Sequence, residues 1–558
     1  MWGIFPGSDA CLYYTAACEL VNGQQITSMA GARHSFPLVL AALLRFFGHD
    51  FRLITTIFTV GMAIATWSAF EVIRRHLGGL TAVVYLVCVT FYIRIHCAGL
   101  FMTEQLGTLY SLCAVTLLVE SFARDGKAKM WMYCGGLFFL TQGLNARPAA
   151  YMTVPFLVLA SWQLCQGDFP ARGKMVGLGA IAVAASLFLH DTTYYRAVAW
   201  PTPSNGWYCV YGLLNGGTWV DGRKHAEQRL REKLSLDHSD RRQSAEPVYV
   251  EGMRILREEC LSTICHQPGK FLAGWWRALR FVWLKNTPFR AAGPQMPPVW
   301  ITELARWATI LGIALSVLLL VRGRRVPAQL KTYQTLSWIN VAVLLGMIVS
   351  LPLAPPWDGE TRLFAATLPL FFLLPASGIG GLYLLSVSRW RRISPEPKID
   401  FHRNIAIAAA IILGGMLSIV LATTSFLIDT TSKDNRHPVK LMIDELTSKV
   451  PSAQSVDLRS LRAGYHLRVT ENTQPTWLPN ISKEDFIRNL PGGRYRYLSP
   501  TFKRLPAGTE LVALPYSTLL VLDKEDAREQ RLTPPEQSHH VAGEPPVFLS
   551  RSIQLETP

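Results

Sequence analysis

Long apolar runs separated by short charged stretches fill the first 428 residues. A helix needs about 20 mostly apolar residues to cross hydrocarbon. Runs of that kind fall at 53–72, 79–96, 101–122, 130–145, 148–165, 175–190, 302–321, 333–353, 363–386 and 404–428. The shorter run at 36–48 is expected to lie at the interface. After residue 428 the pattern changes. "HPVKLMIDELTSKVPSAQSVDLRS" predicts an amphipathic helix and then a strand, and "GTELVALPYSTLLVLDK" predicts strand, turn, strand. The expectation is an α-helical multi-spanning membrane protein of about ten or eleven spans over 1–428. A small C-terminal α/β or α+β domain follows over 429–558.

Composition agrees. Half of the residues are hydrophobic and 17% are charged, against about 25% charged in ordinary soluble domains. The formal net charge of +16 would suggest nucleic acid in a soluble protein. Here the cations sit in alternate loops: Arg74 and Arg75; Arg124, Lys127 and Lys129; Arg172 and Lys174; Arg322, Arg324, Arg325 and Lys331; Arg389, Arg391, Arg392, Lys398 and Arg403. The positive-inside rule makes those loops cytoplasmic, where they meet anionic lipid. The N-terminal segment, the turns at 94–104, 145–148 and 355–362, the loop 191–300 and the tail after 428 then face outward. An outward N-terminus without a signal peptide carries the expectation that a further span precedes Met1. The ten cysteines show no metal spacing. Cys88, Cys113, Cys134 and Cys165 read as small core residues, while Cys209, Cys260 and Cys265 share one polar loop and leave a disulfide open.

Several potentially reactive residues collect at the outward ends. Asp9, Arg33, His34, His96, Glu104, Arg147, Glu360 and Arg362 come from five separate segments. A charge at a membrane boundary avoids the cost of about 2.5–3.5 kcal/mol assigned at the centre of a span, so any one of them can be a snorkelling anchor. Ser8 can cap a helix and place Asp9 in its first turn, where the dipole favours a carboxylate. The same position is ordinary helix stabilisation. Glu104 can orient a substrate, pair with an arginine, or simply begin a helix. Tyr13 and Tyr14 suit a sugar site or the interfacial aromatic belt. Trp207 and Tyr208 suit stacking on sugars, and Asn480 opens a glycosylation sequon.

The ordered set of segments resembles the GT-C membrane glycosyltransferases, which use polyprenyl-phosphate sugars. That family includes protein O-mannosyltransferases and the aminoarabinose transferase of lipid A. "SDACLYYTAACELVNG" is similar to the family's first outward loop, and "ARHSFPLVLAALLRFFGHD" to the stretch after it. "MTEQLGTLYSLCAVTLLVES" resembles the span that opens with an outward Glu. "GLFFLTQGLNARPAAYMTVP" matches the Arg-Pro turn. "TPSNGWYCVYGLLNG" with "HQPGKFLAGWW" resembles the large outer loop, and "GETRLFAATLPLFFLL" the late span. Ala10 stands where the family's second acid would be, which leaves metal ligation unassigned: no cofactor is assigned with certainty, and a divalent metal stays open.

The resemblance implies a GT-C-like transmembrane catalytic domain over 1–428, with the outer loop at 191–300, and an extracytoplasmic domain over 429–558. It implies transfer of a sugar from a polyprenyl-phosphate donor to a glycan, lipid or protein acceptor, with inversion. Asp9 and Glu104 would be catalytic, with Asp9 as general base. Arg33, His34, Tyr13, Arg147, Glu360 and Arg362 would bind substrate, the arginines holding the departing phosphate. The setting would be a bacterial inner membrane with the site on the periplasmic face. Two other readings stand beside it. One is an O-antigen ligase or polymerase using a diphosphate-linked oligosaccharide. The other is a multi-spanning transporter, which would carry ionisable groups near mid-span.

Overall fold

The computed structural model describes residues 9–26, 29–48, 51–97, 102–165, 168–199, 206–234, 246–284, 299–327, 330–355, 363–388 and 401–428, together with short strands between 453 and 556. At the N-terminus α1 (Asp9–Val21) packs on α2 (Ser35–Phe47). Then come α3 (Phe51–Leu77) and α4 (Gly79–His96), split by Gly78 at φ 90°, a left-handed turn that a Cβ would strain. α5 (Thr103–Glu120), α6 (Gly126–Ala146), α7 (Thr153–Leu164) and α8 (Phe169–Ala197) follow. Asp168 caps α8 by accepting from the amide of Ala171 at 3.1 Å.

A second helical group comprises α9 (Gly206–Asn215), α10 (Trp219–Leu234), α11 (Glu246–His266) and α12 (Pro268–Leu284). The bundle resumes with α13 (Val299–Arg322), α14 (Lys331–Ser350), the short α15 (Leu368–Phe371), α16 (Leu373–Ser388) and α17 (Phe401–Phe426).

Among the described residues eight helical segments are long and apolar enough to cross a membrane: Leu53–Leu77, Gly79–His96, Thr103–Ala123, Phe169–Ala197, Trp300–Arg322, Lys331–Ser350, Leu368–Ser386 and His402–Phe426. The chain is an integral membrane protein of almost wholly helical character. The runs at 130–145 and 148–165 fall on α6 and α7, which do not meet that standard. α7 is 12 residues long. α6 has 21 residues but carries Thr141, Gln142 and Asn145, all buried. Its polar face looks into protein, against α5 and α8, so lipid does not demand apolarity there.

α5 is the centre. All of its residues from Thr103 to Glu120 are buried, against α3, α6, α15 and α17. Its contact with α6 is backbone-close. A Cβ on Gly143 would stand 3.0 Å from the carbonyl oxygen of Gly107, and one on Gly107 would stand 3.0 Å from Cβ of Arg147. Small residues at such crossings let helices meet where burial from water gives no drive.

The two ends of the bundle differ in charge. At one end Glu120 accepts from Arg124 Nε at 2.7 Å and pairs with His76 Nε2 at 2.8 Å and Arg403 Nε at 3.8 Å. Glu71 binds Arg74 and Arg75 on α3 nearby in sequence. These are loops the sequence reads as cytoplasmic. At the other end lie the start of α5, the end of α6, the N-terminal segment and the C-termini of α8 and α17. Ile26 bridges Val198, and the Arg196 guanidinium sits 3.9 Å over the ring of Phe426. Arg74, Arg75, Arg124 and Arg403, from three of the loops expected on one side, thus pair with acids at one end of the bundle.

In the tail, β1 (Ala453–Leu461), β2 (Gly464–Val469), β3 (Glu510–Ala513) and β4 (Leu519–Leu522) pair antiparallel in that order, with Ala453 opposite Val469 and Glu510 opposite Leu522. β5 (Arg531–Leu532) pairs with β6 (Leu555–Glu556). The expected strands at 453–461, 510–513 and 519–522 form. The expected helix before them lies outside the described residues.

Replacing Gly143 by Leu should lower stability by about 1–3 kcal/mol, the range for overpacking a tight contact. Gly173→Ala, where a Cβ meets nothing within 4 Å, should be neutral. Thermal unfolding of the detergent-solubilised chain distinguishes the two.

Candidate functional site

The Arg-Pro turn and the opening of α5 meet. Glu104 lies in the first turn of α5, and Arg147 follows the last residue of α6. Because Gly107 and Gly143 bring the helices together, Arg147 Nη2 stands 3.2 Å from Glu104 Oε1, with the two side chains only 3% and 1% exposed. Arg147 Nη1 donates to Thr103 Oγ1 at 3.4 Å, and that hydroxyl donates to Glu104 Oε2 at 3.3 Å. Gln105 donates to the carbonyl of Cys97 at 3.0 Å, fixing the turn before α5. The sequence reading counts Glu104 as catalytic and Arg147 as substrate-binding, and the fold brings the two together.

Arg33 and Tyr13 form a second pair. Arg33 Nη1 donates to the Tyr13 hydroxyl at 2.6 Å, and the Tyr13 ring meets Phe36 edge-on at 5.6 Å. This hydrogen bond links α1 to the turn before α2. Asp9 opens α1. Its side chain lies outside the described residues, as do Ser8, Glu360 and Arg362.

His34 goes elsewhere. It is fully buried against α8. Its Nε2 lies 2.9 Å from Thr193 Oγ1. The Thr193 hydroxyl proton is directed at the carbonyls of Leu189 and His190, so His34 Nε2 donates and Nδ1 is the bare nitrogen. The His34 ring is 4.6 Å from that of His190 and 5.3 Å from that of Tyr194. Burial, and after it the neighbouring His190, holds the His34 imidazole well below its usual pKa. It is therefore neutral at neutral pH and brings no charge to a phosphate. His96 packs on Tyr92 at 5.0 Å.

Among the described residues no group of three or more His, Cys, Asp or Glu could hold a metal ion. No disulfide joins Cys209, Cys260 and Cys265. In the helical group α9–α12, Tyr208 is buried, with Trp207 packed beside it, so its ring cannot stack on a sugar. His225 pairs with Glu259 at 2.8 Å and stacks on Tyr211 at 4.5 Å. Arg229 binds the other oxygen of Glu259 at 2.9 Å. The sequence reading missed this staple between α10 and α11, as it missed His190, Thr193 and the Glu120 hub. A carboxylate inside an apolar run and flanked by cations was the available signal for Glu120.

No protein-family profile and no curated protein matches the chain. It does resemble solved structures. One is the archaeal oligosaccharyltransferase AglB from Archaeoglobus fulgidus in complex with an inhibitory peptide and a dolichol-phosphate. That match has 11% identity and a TM-score of 0.37, covering 77% of this chain and 53% of that one. Another is ArnT from Cupriavidus metallidurans in the apo state, at 14% identity and a TM-score of 0.28, covering 73% of this chain and 82% of that one. The chain spans about half the length of the archaeal oligosaccharyltransferase it matches.

Two tests follow from this geometry. Glu104→Gln should cost about 3–5 kcal/mol, because it takes a carboxylate away from a buried guanidinium. The double variant Glu104→Gln/Arg147→Gln should be less unstable than the sum of the singles, and a double-mutant cycle of thermal unfolding measures the coupling. For His34 the folded pKa lies below the unfolded value near 6.5, so the unfolded chain binds the extra proton. Stability is full above about pH 6.5 and falls as pH drops below it, at up to about 1.4 kcal/mol per pH unit. His34→Gln should flatten that part of the profile in melts between pH 7.5 and 5, relative to wild type.

Proposed function

We propose that this chain is a membrane glycosyltransferase that moves one sugar from a polyprenyl-phosphate donor to an acceptor hydroxyl at the Glu104 end of the bundle. That end is the outer face, periplasmic in a bacterium. The reading rests most on one observation: a buried Arg147 aimed by Glu104 and Thr103 at the boundary end of two tightly packed helices. A planar guanidinium oriented by a carboxylate suits bidentate recognition of phosphate.

The chemistry is a single displacement. The acceptor oxygen attacks the anomeric carbon, its proton passes to a carboxylate, and the carbon–oxygen bond to phosphate breaks with its electron pair leaving on phosphate. A phosphate leaving group needs no general acid, so one base suffices. Attack from the face opposite the phosphate inverts the anomeric configuration. Asp9 takes the proton in this scheme. Glu104, already engaged by Arg147, positions the cation. Arg147, Arg33 and Arg362 stabilise charge growing on the phosphate, with Tyr13 orienting Arg33. Glu360 is assigned to acceptor or sugar binding. His34, neutral and packed on α8, supports the corner from which Arg33 projects. The 1–428 segment is the catalytic unit and 429–558 an extracytoplasmic domain.

Single-turnover transfer of label from synthetic polyprenyl-phosphate sugars to membrane acceptors tests this. Asp9→Asn in folded protein should slow transfer by about 10²–10⁴-fold, the usual span for loss of a general base, while donor binding persists. Near wild-type turnover in Asp9→Asn would remove Asp9 from the mechanism. Glu104→Gln must be compared at matched folded fraction, because its stability cost would otherwise mimic a catalytic one.

A further inference from the structure

Helix α12 has three distinct sides. With 3.6 residues per turn, Gly274, Ala278 and Trp275 face the protein. Gly274 lies against Leu213, Ala278 is buried, and Trp275 Nε1 donates to the carbonyl of Ile348 at 2.9 Å. A second side is an apolar stripe with no cover: Leu272 is 58% exposed, Trp276 62% and Trp283 37%. These three, at spacings of four and seven, fall within roughly 40° of one another. The third side is basic, with Lys270, Arg277 and Arg280 exposed. Arg277 is partly committed, donating to the carbonyl of Leu213 at 2.9 Å. The helix sequence, PGKFLAGWWRALRFVWL, contains no acid.

The position of the helix says what covers the stripe. Ile348 is two residues from Ser350, the end of the spanning helix α14. The Trp275 bond therefore holds α12 level with the bundle's Glu104 end, where Ser350 Oγ accepts from the amide of Met152 just beyond the Arg-Pro turn. The next spanning helix, α13, begins with outward-facing Trp300, Leu304 and Trp307, an aromatic girdle of the kind found where headgroups meet acyl chains. Both helices thus carry exposed tryptophans, Trp276 and Trp283 on one and Trp300 and Trp307 on the other.

We propose that α12 lies in the plane of the membrane at the Glu104 end. Leu272, Trp276 and Trp283 sit among the upper acyl carbons, and Lys270 and Arg280 bind the phosphates of anionic phospholipid. An apolar stripe beside a basic one, with no acid, is the form of an interfacial helix. Lysine and arginine stems run along apolar surface while their heads reach the phosphates. This surface is separate from the transferase chemistry and stands whether or not that reading holds.

Spin labels placed singly at residues 272 and 276 of the full chain test it, with Lys224 on α10 as the reference site. The protein is reconstituted in phosphatidylcholine vesicles with and without phosphatidylglycerol, and collision with oxygen is compared with collision with a nickel chelate. The expected result is that labels at 272 and 276 meet oxygen and exclude nickel, at a depth of about 5–10 Å, while the label at 224 does the reverse. Phosphatidylglycerol should deepen the label at 276, and Lys270→Glu/Arg280→Glu should abolish that deepening. Nickel access at 272 and 276 equal to that at 224 would overturn the proposal. Shielding from both reagents would replace lipid by a protein partner and overturn it equally. Burial without any dependence on phosphatidylglycerol would overturn the phosphate assignment.

Discussion

The close crossing of α5 and α6 is the constraint on which the rest depends. Lipid offers no hydrophobic drive between helices, so a buried pair of charges must be held by packing. Gly107 and Gly143 supply that packing, and the Glu104–Arg147 pair is its consequence. A Cβ at either glycine would press on the facing helix at 3.0 Å. The pair also explains the unusual polarity of α6. Its Gln142 and Asn145 donate to the carbonyl of Ser186 on α8, so the helix is polar on sides that lipid never reaches.

α5 carries a buried acid at each end, and the two are treated differently. Glu120 is engaged by Arg124 and His76, with Arg403 at 3.8 Å, which ties α3, α5 and α17 together. It reads as a staple. Glu104 is held by the guanidinium of Arg147 and the hydroxyl of Thr103, at the opposite end of the same helix. The centre of the membrane in this helix is filled by Leu, Val, Thr and Tyr packing.

Much of this was legible in the sequence because the bilayer imposes length and charge asymmetry. Among the described residues eight of the apolar runs became helices fit to span, and Arg74, Arg75, Arg124 and Arg403 pair with Glu71 and Glu120 at one end of them. Glu104 and Arg147 were readable as functional candidates because a charge at the edge of an apolar run is costly without a partner. Their pairing was not, since forty-odd residues separate them and only the glycine crossing brings them together. His34 was misleading for a related reason. Sequence shows a histidine at an outward corner, but its partners Thr193, His190 and Tyr194 lie on a helix more than 150 positions away. α6 was counted as a span by its central run, although its polar residues match protein neighbours and not lipid. The staple around Glu259 had no periodic signal, because it depends on how two polar helices happen to face each other.

The central claim is that Arg147, aimed by Glu104, receives a lipid-linked phosphate. Equilibrium binding of undecaprenyl phosphate to the purified chain in nanodiscs, with wild type beside Arg147→Gln and Arg147→Lys, tests it most directly. The account predicts saturable binding by wild type, a loss of at least about tenfold in Arg147→Gln, corresponding to about 1.4 kcal/mol, and incomplete recovery in Arg147→Lys, where the planar fork is missing. Equal affinity in all three proteins, each shown to be folded, would contradict it.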